Sequence, residues 1–237
     1  MHDQEMALQA LGQSGMREIA QSTMRARHRA WIRLPSGCRL DLMNPAPGDW
    51  QDADLASRLS RTYRWGGESS WSRPLSVAQH SLTVLALRRQ WSDGTLNATQ
   101  ALMELLHDAE EGFLGFDCIS PLKAALGQPF QDVSNRLLAA IWSRYGLPSW
   151  STNEQMMHKR ADLIAAASEA VHCAGWSRKE VRDVLGITHA VLDVDPLAVI
   201  YGCNPWEPWE PRLAEERFLS ELEFLKSSAQ KVFQQSA

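Results

Sequence analysis

Cysteine is scarce in this chain, and what there is lies scattered. Cys38, Cys118, Cys173 and Cys203 form no CxxC pair, so neither a zinc knuckle nor a disulfide framework is indicated, and buried free thiols are expected. Long apolar runs are missing as well. No stretch approaches the roughly 18 apolar residues of a membrane span, and Met1-His2-Asp3-Gln4-Glu5 carries acidic charge where a secretory leader has a basic region. A cytoplasmic protein without membrane association is the expectation. Nor is there a basic excess: 24 lysines and arginines against 28 aspartates and glutamates leave a formal charge of −4. That balance argues against a stable nucleic-acid complex, which normally needs a basic face. A phosphate-bearing small molecule would instead require a local basic pocket inside an acidic shell. No internal repeat exceeds the Trp-Glu-Pro doublet at 206–211.

What is present reads as one helical domain with an appendage. Residues 4–29 are helix-prone but interrupted by Gly12, Ser14 and Gly15, so 1–29 is expected to be an N-terminal extension, helical or partly disordered, and 30–237 the domain. The basic cluster at 25–29 reads as a solvated charge run. Apolar and polar residues alternate on both sides of Pro35-Ser36-Gly37, which predicts a small β-hairpin. Helices follow. One is capped by Asp52 or Asp54, runs through Leu55, Leu59 and Tyr63, and is stopped by Gly66-Gly67. Others are predicted at 75–90, 97–113, 121–126, 130–145, 154–173, 177–185 and 212–232, the sixth with the capping box Ser177/Glu180. Proline excludes helix from 204–211. The fold class is therefore all-α, a helical bundle with a small N-terminal β-hairpin.

The chemistry concentrates between Leu102 and Glu111. Leu102, Leu105, Leu106 and Ala109 follow the spacing of a core-facing helix, yet His107, Asp108 and Glu111 begin where that face continues. Polar groups carried towards a core need neutralising partners, because unpaired buried charge costs several kcal/mol or more, and a divalent cation would serve. Neighbours on a helix diverge by ~100°, so His107 and Asp108 can share an ion only if it lies close against the backbone, where Ala109 leaves room. His80 and Asp162, each on the apolar face of its own predicted helix, are the best candidates for two further ligands. Imidazole and carboxylate donors suit a divalent ion of Mn, Co, Ni, Fe, Zn or, less comfortably, Mg. Glu111, on the same side of the helix, is placed to take a proton from an attacking water or to orient it. Glu110 points elsewhere and reads as solvated. Lys123 and Lys159 are candidate phosphate contacts. Glu169, two turns after Asp162, fits equally a group behind a ligand and a helix-packing carboxylate. Trp71, Trp206 and Trp209 sit in irregular segments where an indole could cover a base, although packing is the commoner role.

In order along the chain stand Arg64-Trp65-Gly66-Gly67, Ser76-Val77-Ala78-Gln79-His80-Ser81, His107-Asp108-Ala109-Glu110-Glu111, Pro121-Leu122-Lys123 and Ala161-Asp162-Leu163. From about 31 to 225 this order resembles the HD-domain metal-dependent phosphohydrolases, in the bacterial and prophage branch related to 5′-deoxynucleotidases. The resemblance implies that His80, His107, Asp108 and Asp162 ligate the metal, that Arg64 holds the substrate phosphate and that Glu111 handles the catalytic water. Trp65 would pack on the sugar and leave no room for a 2′-hydroxyl. Asp117 would be the acidic residue that the family carries shortly after Leu-Gly, here one residue later, in Leu114-Gly115-Phe116-Asp117. The implied activity is hydrolysis of deoxyribonucleotides, first a 5′-deoxynucleotidase releasing phosphate from a nucleoside monophosphate, then a dNTP triphosphohydrolase. A homodimer or larger assembly is implied too. Glu68, where close relatives have histidine, and the altered loop at Phe116 motivate the rival reading of a non-catalytic nucleotide-binding or partner-binding module.

Overall fold

The structure, a computed structural model, describes residues 30–92 and 95–235. The predicted extension at 1–29 lies outside the described residues. Within them the chain is mostly α-helical, with one two-stranded antiparallel hairpin, and no helix is long and apolar enough to cross a membrane.

In the hairpin, β1 (Trp31–Arg33) pairs with β2 (Arg39–Asp41), Ile32 opposite Leu40. Gly37 closes the turn at φ +89°, a conformation that favours glycine. Asp54 ties this turn to α1 (Asp52–Ser60): its carboxylate accepts from the Ser36 amide and hydroxyl, both at 2.7 Å, and from the Gln51 amide at 2.8 Å. The N-cap is therefore Gln51, and neither Asp52 nor Asp54 as predicted. The helix also ends before the glycines. Val77 N donates to Thr62 O and Arg64 N to Leu75 O, both at 2.8 Å, and this pairing needs extended backbone after Ser60.

The middle of the molecule is α2 (Val77–Trp91), whose residues from Val77 to Arg88 are all buried. A helix enclosed on every side must satisfy its polar groups internally. Gln79 does so by donating to Glu207 O at 3.0 Å and accepting from Trp209 N at 2.8 Å. Around α2 lie α3 (Ala98–Leu105) and α7 (Thr152–His172), while α4 (Ala109–Leu114) packs between α1 and α6 (Gln128–Tyr145), with the short α5 (Ser120–Leu126) leading into α6. Two short helices follow, α8 (Arg178–Asp183), with the Ser177/Glu180 box, and α9 (Pro196–Tyr201). The second escaped prediction because only Leu197 of its residues is buried, too few to mark a period. Finally α10 (Pro211–Gln235) lays Ala214, Phe218, Leu222 and Leu225 on α1 and α3. Spacing of three and four residues puts them on one stripe, and each large side chain fully buried there contributes about 1.5–3 kcal/mol.

One predicted helix is two. Instead of running from 97 to 113, the chain leaves α3 after Leu105, turns through 106–108, and re-enters helix at Ala109. The Glu104 carbonyl, which an unbroken helix would offer to the Asp108 amide, accepts from His107 Nδ1 at 2.8 Å. The imidazole substitutes for a main-chain donor, and the backbone is free to turn.

Candidate metal centre

That turn removes the ~100° divergence between neighbours on a helix. His107 Nε2 and Asp108 Oδ2 come within 3.2 Å of each other. From α2, His80 places its Nε2 at 3.7 Å from Asp108 Oδ2 and 3.4 Å from Asp162 Oδ1, the latter carried by α7. His80, His107 and Asp162 each offer a ligand atom within 4.8 Å of the others, so the structure brings together all four residues singled out from the sequence.

Both imidazoles are fixed from behind. His107 Nδ1 donates to Glu104 O, and His80 Nδ1 donates to Glu169 Oε1 at 2.8 Å. In each ring the outward nitrogen is left over. Both Nε2 atoms are buried without a hydrogen-bond partner, and an orphaned buried nitrogen costs ~1–3 kcal/mol. Histidine ligands commonly show this pattern, one nitrogen held by a carbonyl or carboxylate and the other presented to the ion. The donor set thus fits a divalent cation.

Electrostatics agree. Burial and Arg64 oppose charge on His80, but Glu169 and Asp162 prevail and raise its imidazole to about 10. Burial would raise Asp162, yet the two histidines and Lys159 hold it well below the usual carboxylate range. Protons on the imidazoles and a metal cation are alternative ways of neutralising the same carboxylates.

Around this centre the remaining predicted residues divide. Arg64, buried, lies 3.5 Å from Asp117 Oδ1, 3.8 Å from Asp108 Oδ2 and 3.5 Å from Glu169 Oε2. These ion pairs are looser than the 2.7–2.9 Å of strong charge-assisted hydrogen bonds. The Arg64 guanidinium also stands over the Trp65 ring at 5.8 Å. Trp65 takes φ +59°, costly for a bulky residue, and its side chain packs on Ala167, Ala170 and Val181. Glu111 is buried. Its Oε1 accepts from Lys123 Nζ at 3.0 Å while Oε2 has no partner, and burial, with Asp108 and Asp117 alongside, pushes its carboxyl up to about 9. Lys159 is engaged by Asp162 Oδ2 at 2.7 Å.

One expectation changes and two open alternatives are decided. Glu110 is buried, not solvated: the break before Ala109 turns it towards α6, where Ser134 donates to its Oε1 at 3.1 Å. Burial, with Asp108 nearby, raises it to about 7. With Asp108 and Glu111 it forms a second group of carboxylates that could hold a cation. Glu169 stands behind a candidate ligand. Trp206 and Trp209 are buried in the packing, and Trp71 donates from Nε1 to His172 O at 2.9 Å.

Sequence reasoning passed over Glu104, Arg88 and His158. The available signal was spacing: Glu104 stands three residues before His107, and His158 stands four before Asp162, on one face of α7.

No family model matches the chain. An uncharacterized protein of Rhodobacter capsulatus is 39% identical to it over 165 residues, which cover 69% of this chain and 83% of that protein.

Proposed function

We propose that this chain, which belongs to the family of the Rhodobacter capsulatus protein, is a metal-dependent phosphohydrolase of the HD superfamily acting on deoxyribonucleotides, first of all a 5′-deoxynucleotidase. The observation that carries the reading is the pair of buried imidazoles with unpartnered Nε2 atoms, facing Asp108 and Asp162. His80, His107, Asp108 and Asp162 would hold the ion. Bound there, a divalent cation supplies positive charge and Lewis acidity to a phosphoryl group.

The chain's own groups take the other roles. Arg64 exchanges its loose carboxylate contacts for phosphate oxygens, which accept from a planar guanidinium in pairs. Asp117, 3.5 Å away, steadies the guanidinium from one side. Glu111 has a free Oε2. Burial, with Asp108 and Asp117 alongside, raises its carboxyl to about 9; positive charge from a bound cation would favour its ionised form, and in that form it receives the proton lost by the attacking water. Lys123, on Oε1, keeps that carboxylate in place and adds positive charge near the phosphate. Trp65 holds the sugar edge from a strained backbone, and strain of ~1–3 kcal/mol is retained chiefly where a site requires it.

The test is a panel of deoxyribonucleoside and ribonucleoside mono-, di- and triphosphates with Mn²⁺ or Co²⁺, with phosphate detected directly and no added pyrophosphatase. Phosphate from 5′-deoxymononucleotides, abolished in Asp108→Ala, supports the reading. Tripolyphosphate as the product would replace it with a triphosphohydrolase. Tight nucleotide binding without turnover under any metal would leave a binding module.

A further inference from the structure

The three helices that bring the candidate ligands together are also joined through one side chain that faces no ligand position. Glu104, on α3, is fully buried. Its Oε1 accepts from Arg88 Nε at 2.5 Å, and its Oε2 accepts from His158 Nδ1 at 2.7 Å. Arg88 belongs to α2, which carries His80. His158 belongs to α7, one turn before Asp162. Glu104's own main-chain oxygen accepts from His107 Nδ1. One residue therefore meets a partner from each ligand-bearing segment. The His158 ring also stands edge-on to His107, centroids 4.7 Å apart, and stacks on Trp150 at 4.9 Å.

We infer that Glu104, clamped by Arg88 and His158, is a positioning residue for the metal centre, setting the spacing of His80, His107 and Asp162 without touching the ion. The physical case rests on burial and valence. An enclosed carboxylate accepts through both oxygens, and here each oxygen is used by a different helix. The main-chain carbonyl that orients His107 is fixed by the same residue. If either contact is lost, α2 or α7 can shift against α3, and a shift of a few tenths of an ångström matters in a site whose ligand atoms must converge on one point. A structural role alone would lower stability and leave the affinity of the folded site unchanged.

This role rests on the metal-centre reading, and the experiment separates the two. Co²⁺ or Mn²⁺ affinity of the full chain is measured by competition with a chromophoric chelator, alongside the Co²⁺ absorption spectrum and thermal stability. The wild type, with Asp108→Ala as control, tests the centre itself: no binding there overturns that reading and this inference with it. Given wild-type binding, Glu104→Gln and Arg88→Met are expected to weaken affinity about 10-fold, the low end of what losing a group bonded directly to a ligand costs, and to shift the Co²⁺ bands. The double variant Arg88→Met/Glu104→Leu removes the buried charges together, which recovers stability in comparable pairs; it is expected to regain melting temperature without regaining affinity. Affinities within twofold of wild type in folded variants, with an unchanged spectrum, would overturn the inference.

Discussion

His80 on α2 donates its Nδ1 proton to Glu169 on α7 at 2.8 Å, across 89 residues of sequence and with both side chains buried. The bond fixes the tautomer that leaves Nε2 free. Glu169 also faces Arg64 at 3.5 Å, so one carboxylate orients a candidate ligand and a candidate phosphate contact. Glu169→Gln keeps an acceptor but loses the charge, and Glu169→Ala loses both. Divalent-ion affinity is expected to fall by roughly tenfold in the first and towards 100-fold in the second, read by metal content after dialysis against a graded chelator series. Equal retention in all three proteins would show that His80 needs no support from behind.

Arg64 separates binding of the ion from binding of phosphate. The guanidinium lies among Asp117, Asp108 and Glu169 without a close hydrogen bond, so it can be removed without removing a ligand atom. Arg64→Ala is expected to keep its metal while kcat/KM on the preferred nucleotide drops by about 10²–10³, the scale of losing one preorganised donor to developing charge. Arg64→Lys, which keeps the charge without the planar fork, should fall between the two. An unaltered kcat/KM in Arg64→Ala would remove this residue from the phosphate site.

Much of this arrangement is legible in the order of residues alone. His107 and Asp108 announce themselves as polar groups on an apolar stripe, and His80 and Asp162 do the same on their own helices. What local pattern cannot carry is a break that the side chains themselves create. Leu102, Leu105, Leu106 and Ala109 keep a helical period straight through 106–108, because their burial is satisfied with or without continuity. The turn depends on His107 bonding back to Glu104. Glu110 reads as solvated for the same reason, since an unbroken helix would point it away from the core. Arg88, Glu104 and His158 each resemble an ordinary polar residue of an amphipathic helix, and only their meeting, from three helices, reveals buried partners.

At the far end of α1, Asp52 gives stability a dependence on acid that can be assigned to one residue. Burial would raise its pKa, but hydrogen bonds from Lys226, Arg144 and Tyr145 outweigh it and hold the carboxyl below its ordinary 3.8. Because the folded value is the lower one, the unfolded chain binds the extra proton between the two. The stabilisation is fully present above the ordinary value and is lost as pH falls through the folded one. Asp52→Asn should cost about 1–2 kcal/mol at pH 7, and the gap between wild type and variant should narrow towards pH 3. Urea unfolding of both proteins at a series of pH values checks this. A gap that stays constant on acidification would mean that Asp52 acts through shape and not through charge.

Gly112 tests how tightly the candidate centre is held against the hairpin side of the core. It lies on α4, one residue after Glu111, where the helix crosses α1. A Cβ there would meet Leu59 Cγ at 3.0 Å, Cδ2 at 3.1 Å and the Leu59 amide nitrogen at 3.3 Å. The Leu59 side chain is fully buried and has nowhere to withdraw, and the amide belongs to the α1 backbone, so α4 itself must move outward. Helix propensity favours alanine over glycine by up to ~1 kcal/mol, but overpacking a filled core costs about 1–3 kcal/mol, and the contact is expected to win. Gly112→Ala should therefore lower the melting temperature by a few degrees. Because α4 follows directly on Asp108 and carries Glu111, the displacement should also reach the site, weakening metal retention where a remote substitution of equal cost in α10 does not. A Gly112→Ala protein as stable as the wild type, with full metal retention, would show that α1 and α4 are packed more loosely than these distances require.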